Sequence, residues 1–134
     1  MKKDPLRIQT HVILGILILQ YLLGMLVNLF VQFPDTKNEN ALWEFAKGQV
    51  PVVIHIFLAF MLLAGSIVLL IRAIRRKDKN WVIAGSVGFF WILIAIIAGA
   101  QFVPTQQDVY SYIMASAFIL AFVSYGWGMY KAKK

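Results

Sequence analysis

Hydrophobic positions along this chain fall into four long runs separated by short polar interruptions. Reading for unbroken apolar character places the runs at 8–33, 50–74, 81–103 and 109–129, each close to the roughly 20 residues that an α-helix needs to cross a bilayer core. Four crossings bring both ends of the chain to one side. The first run starts a few residues after Lys2 and Lys3, is too long for a signal-peptide core and has no small-residue cleavage site after it, so it is expected to be a retained helix.

The connections are short except for one. Segment 34–49 is the only long link, and within it Asn40-Ala-Leu-Trp-Glu-Phe-Ala-Lys47 predicts a short interfacial helix. Trp43 and Phe45 are expected at headgroup depth, with the helix capping the bundle from outside. The turns at 75–80 and 104–108 are too short to house a domain and should hold sequential helices as antiparallel neighbours. The expected fold is therefore all-α: one antiparallel four-transmembrane-helix bundle over 1–134. A shift of 70 residues superposes Gly15 on Gly85, Tyr21 on Trp91 and Pro34 on Pro104, and a shift of 58 superposes Ala59-Phe60 on Ala117-Phe118 and Ser66 on Ser124. Two readings stand for this pattern: a duplicated helix hairpin, or the chance matching common between apolar spans.

Composition agrees with a lipid environment. Of 134 residues, 60% are apolar and 14% charged, with a mean hydropathy of +0.74, too little polar surface to cover a small domain in water. The charges order the topology. Lys2, Lys3, Arg7, Arg72, Arg75, Arg76, Lys77, Lys79, Lys131, Lys133 and Lys134 fall on one side, against Lys37 and Lys47 on the other. By the positive-inside tendency both termini are expected in the cytoplasm of a cell-membrane protein. The net charge of +7 then faces anionic lipid headgroups, and a nucleic-acid partner has no soluble basic domain to bind.

The chemistry available is narrow. There is no cysteine, which removes disulfides, thiolate metal sites and cysteine nucleophiles. No Asp, Glu, Lys or Arg lies in the middle of any run, which argues against a proton-coupled exporter built on a membrane carboxylate. No nucleotide-binding glycine loop, zinc spacing or Ser-His-Asp set is present, so no catalytic residue is assigned. A channel or holin is disfavoured because no continuous polar face runs through all four spans.

What remains inside is Gln20 and Asn28 in the first run, His55 in the second, Gln101 in the third, and Tyr112 with Met114 in the fourth. Counting about 1.5 Å per residue from the run ends brings Asn28, His55, Gln101 and Met114 to one height in the outer leaflet. His11 lies at the opposite end and cannot pair with His55. Small residues follow helical spacing in two runs, as His55, Ala59, Leu62, Ser66 and as Met114, Ala117, Ala121, Ser124, Gly128. Such stripes either let helices approach closely or leave room for a flat cofactor. Gln20, Gly24 and Asn28 share a face and read as interhelical hydrogen-bond glue or ligand contacts. Tyr110, Tyr125, Trp81, Trp91 and Trp127 stand mostly near run ends, where interfacial rings are expected.

For His55 two readings stand. One is a neutral imidazole bonded to Asn28 or to a backbone carbonyl. The other is an axial metal ligand to haem iron, with the Met114 thioether at the sixth position and Asn28, Gln101 and Tyr112 as polar surroundings. Leu19-Gln-Tyr-Leu-Leu-Gly-Met-Leu-Val27, then Phe33-Pro34, then Val50-Pro-Val-Val-Ile-His55 and Arg72-Ala-Ile-Arg-Arg76 resemble a helix pair of the heme A synthase family. The resemblance implies a four-helix unit holding a b-type haem, with His55 in the position of an axial histidine. The partner histidine is absent from the fourth run, where Ile113 and Met114 stand, and the first run lacks the membrane carboxylate associated with the synthase chemistry, so heme A synthesis itself is not implied. The expected function is a small membrane protein holding haem b or a quinone-like ring around His55 for electron transfer or sensing. The competing expectation is an accessory or assembly subunit of a larger respiratory or transport complex, or a homo-oligomer, with no cofactor.

Overall fold

A computed structural model describes residues 4–131, which form five helices and, among the described residues, no strand. Helix α1 spans Pro5–Phe30, α2 Glu39–Gly48, α3 Val50–Arg75, α4 Lys79–Thr105 and α5 Asp108–Lys131. Four of them, α1, α3, α4 and α5, are long and apolar enough to cross a membrane. Lys2, Lys3, Lys133 and Lys134, which enter the charge asymmetry, lie outside the described residues.

Helix ends follow local chemistry. Asp4 caps α1 by accepting from Leu6 N–H, with Pro5 in the first turn, where its missing N–H leaves no bond unmade. The helix therefore begins ahead of the apolar run. It also stops ahead of the run's end: Val31 is extended, and Phe33, preceding Pro34, is disfavoured from helical geometry. Between α3 and α4 the chain reverses in very few residues. Lys77 takes a left-handed φ of 55°, its N–H reaches Ile74 O at 2.9 Å and Asp78 N–H reaches Ala73 O at 3.3 Å. That is a Schellman closure, and Asp78 then caps α4 by accepting from Asn80 N–H and Trp81 N–H.

The bundle core is one cluster of Leu6, Ile13, Leu17, Leu62, Leu69, Ala73, Trp81, Ile92, Ala121 and Tyr125. Contacts between α1 and α3 run in reverse numerical order: Asp4 pairs with Arg76, Gln9 accepts from Arg72 and donates to Gly65 O, and Gln20 donates to His55 O. Helix α1 closes against α5 through a Tyr21–Phe118 stack, ring centroids 4.9 Å apart, and a 3.4 Å bond from Ser111 Oγ to Asn28 Oδ1. Outside, large apolar side chains such as Phe30, Phe57, Phe60, Ile97 and Val123 stand exposed, as a lipid-facing surface requires.

The fifth helix is α2, which adds a cap to the expected four-helix bundle. Leu42 and Ala46, one turn apart, are buried against Val52 and Val103. Asn38 caps it by accepting from Asn40 and Ala41 N–H. Trp43 is half-buried and packs at the edge of that cluster, while Phe33 bridges Phe45 and Phe102. Two aromatic residues near helix ends, Trp81 and Tyr125, turn into the bundle and are each 0% exposed. Their placement follows from the small residues opposite them, Gly88 beneath the Tyr125 ring and Gly128 beside Trp81.

Candidate functional site

The candidate site is a cavity of about 140 Å³ among α1, α3, α4 and α5. His55, Ala59 and Leu62 form its α3 wall, Trp91, Ile92, Ala95 and Ile96 its α4 wall, and Ser111, Met114, Ala115, Ala117, Phe118 and Ala121 its α5 wall. Helix α1 adds Leu17, Gln20, Tyr21, Gly24, Met25 and Asn28. The small-residue stripes on α3 and α5 thus face one space. On α5 the stripe drifts: Tyr125, not Ser124, is the buried residue, and Ser124 returns its hydroxyl to Leu120 O at 2.6 Å.

Among the lining residues, Tyr21, Met25 and Asn28 are also exposed. They share one face of α1 and stand toward α5, so the cavity opens sideways between these two helices. The Asn28–Ser111 bond and the Tyr21–Phe118 stack mark the two ends of the opening. A second, more polar hollow of about 590 Å³ lies under the 31–39 segment and takes in Asp35, Lys37, Glu39 and Asp108. Asn28 lines both.

The imidazole of His55 lies against Gly24, where an added Cβ would stand 3.2 Å from Cε1. Its Nδ1 is buried and has no hydrogen-bond partner. Asn28, the partner expected for it, bonds Ser111 instead. Gln20 Nε2 donates to the backbone carbonyl of His55 at 2.9 Å, which is the interhelical glue its position suggested. Gln20 Oε1, however, is buried and unpartnered. Both residues line the cavity, but these two atoms are buried between α1 and α3 and are left without a partner, which is uncommon for buried polar groups.

Of the residues singled out from sequence, His55, Asn28 and Met114 meet at the cavity, and Gln101 and Tyr112 do not. Successive helical residues are rotated by about 100°. Gln101 is two residues past Gly99, which touches Met114, so it points to the opposite side and is exposed. Tyr112 sits between the lining residues Ser111 and Met114 and is turned out, 74% exposed. Trp91 and Tyr21 are aromatic walls that sequence reasoning assigned to no site. Their superposition in the 70-residue shift was the available signal.

A haem needs a slot as well as a donor. The donor chemistry is present in His55, but the space is close to that of an engineered void of about 150 Å³ that takes one benzene. Met114 Sδ would stand 3.2 Å from a Cβ on Gly99, so the sulfur rests against α4. Among the described residues no group of three or more His, Cys, Asp or Glu gathers as a metal site. The residues as placed fit a single ring and do not fit a macrocycle.

No protein-family model, curated protein or solved structure matches the chain. What the fold and cavity define is a helical protein with four helices of membrane-crossing length around a laterally open, mostly apolar hollow.

Proposed function

We propose that this protein is an integral membrane protein that holds a quinone-like ring beside His55, for electron transfer or sensing. The observation that carries this reading is a ring-sized, mostly apolar cavity whose lining includes the polar residues Gln20, Asn28, His55 and Ser111. Pockets for lipophilic ligands are mostly apolar with a few placed polar groups. Trp91, Tyr21 and Phe118 supply flat surfaces, and the opening between α1 and α5 leaves a path for a hydrocarbon tail into lipid. Of the two cofactors suggested by sequence, the ring suits the volume better than haem b. Electron and proton chemistry would be the ring's own, with the protein supplying binding and orientation.

The helices are taken to cross as an antiparallel bundle with both termini in the cytoplasm. In support, Arg7, Arg72, Arg75, Arg76, Lys77, Lys79 and Lys131 gather at the end away from α2, and Lys37 and Lys47 lie with α2. The cavity is then in the outer leaflet. A duplicated hairpin is supported by the residues it pairs: Tyr21 with Trp91, and Ala59 with Ala117, all line the cavity.

The test is equilibrium binding of a decyl-substituted benzoquinone to the protein in lipid nanodiscs, followed by quenching of tryptophan fluorescence. Saturable binding that Ala117→Leu abolishes by filling the hollow is expected. A haem Soret band in the isolated protein, or absence of any ring binding together with copurification of a larger complex, overturns the reading in favour of a haem carrier or an accessory subunit respectively.

A further inference from the structure

The closed walls of the cavity limit the size of ring it can hold. Around the bundle α1 packs on α3, α3 on α4, α4 on α5 and α5 on α1, so the α1–α5 seam, through which the cavity opens, lies across from the seam between α3 and α4. The back of the cavity is made by Ala59 and Leu62 of α3 and by Ile92, Ala95 and Ile96 of α4. Leu62 and Ile92 are buried members of the bundle core, and Ile96 packs against it. A close-packed interior leaves no slack behind such residues, and extra carbon forced into it drives side chains off their preferred rotamers. The free space of about 140 Å³ is near the roughly 150 Å³ of an engineered void that holds one benzene.

The tail fixes which edge of the ring meets that wall. With the tail leaving through the α1–α5 opening, the opposite edge of the ring points at Leu62 and Ile92. On a fused two-ring quinone whose tail is on the quinone ring, that opposite edge carries the second ring. A single-ring quinone with hydrogen there ends short of the wall. We propose, resting on the ring-binding reading above, that the cavity selects a single benzoquinone-type ring over a fused naphthoquinone-type ring, with Leu62 and Ile92 setting the limit. Both ring classes bring the same pair of carbonyl oxygens, so the polar and donor-bearing lining residues Asn28, Ser111, Tyr21 and Trp91 meet the same groups in either, and the choice rests on shape. A single methylene in an apolar pocket already discriminates by about tenfold or more, and a fused ring is larger than that.

The experiment compares two matched ligands on the protein in nanodiscs: decyl-benzoquinone and decyl-naphthoquinone, each with a methyl group beside the tail. Binding is read by tryptophan quenching and corrected for partition into protein-free nanodiscs. The benzoquinone is expected to bind about tenfold or more tightly. Ile92→Ala, which opens the back wall and leaves every polar lining residue in place, is expected to bring the two affinities within about threefold by strengthening the naphthoquinone. If Ile92→Ala does not give a monodisperse helical protein, Ile96→Ala opens the same wall one turn further along α4 and should narrow the ratio. A naphthoquinone that binds the unaltered protein at least as tightly as the benzoquinone, or a preference that persists undiminished once the wall is opened, overturns the size limit while leaving ring binding intact. Failure of both ligands to bind overturns the ring-binding reading itself.

Discussion

Tyr125 of α5 lays its phenol ring across Gly88 of α4, so closely that a Cβ at position 88 would stand 2.6 Å from Cε2. The ring fills the notch and is fully buried, and its hydroxyl lies toward Ser66 without a hydrogen bond of good geometry. The contact joins the two helices through shape alone. Gly88→Ala is expected to destabilise the protein by about 1–3 kcal/mol through overpacking, read as a lower unfolding temperature in detergent. Tyr125→Phe removes only that hydroxyl and should leave that temperature unchanged or raise it. A large loss on Tyr125→Phe would mean that the hydroxyl is satisfied in the membrane.

Gln9 ties the other end of the bundle, donating to Gly65 O at 2.8 Å and accepting from Arg72 at 2.9 Å. Interhelical hydrogen bonds within membranes contribute about 0.6 kcal/mol on average, and the Arg72 end is exposed. Gln9→Leu should therefore cost about 1 kcal/mol in a reversible unfolding titration. Asp4→Ala, which removes the α1 cap and the pairing with Arg76, should cost about as much.

Lys77 occupies a left-handed backbone position with φ 55°, a conformation that carries a penalty of about 1–2 kcal/mol for a side-chain-bearing residue. Its Schellman bonds are made by main-chain atoms and survive any side chain. Lys77→Gly should stabilise the α3–α4 turn, by about 0.5–1 kcal/mol after the extra freedom glycine gives the unfolded chain. Thermal unfolding of the single variant checks the sign.

Gly24 is the surface on which the His55 imidazole rests, and an added methyl would press on Cε1 at 3.2 Å. Gly24→Ala is expected to displace the ring by a few tenths of an ångström. The consequence should be several-fold weaker ring binding with little change in unfolding temperature, because alanine suits a helix better than glycine. Unaltered binding in this variant would detach His55 from the cavity's function.

Helix positions were legible because each run is long and apolar, and the α2 cap because Asn40 to Lys47 is short and amphipathic. The polar layer was legible from depth alone, so His55, Asn28 and Met114 do meet. Direction was harder. Gln101 and Tyr112 share that depth but turn outward, and Tyr125, near a helix end, turns inward. In water, a polar face tells which side of a helix is outside. In lipid the exterior and the core are both apolar, and Phe57 facing out is chemically no different from Leu62 facing in.

By itself the sequence determined that there are four long apolar helices and about where each lies, since length and hydropathy act locally. Only the tertiary structure decided that Gln20 gives its nitrogen to His55 and keeps an oxygen unpaired, and that Gly88 receives Tyr125. Those outcomes depend on rotation and close packing between helices, which are set by small differences in side-chain volume at contacts far apart in the chain.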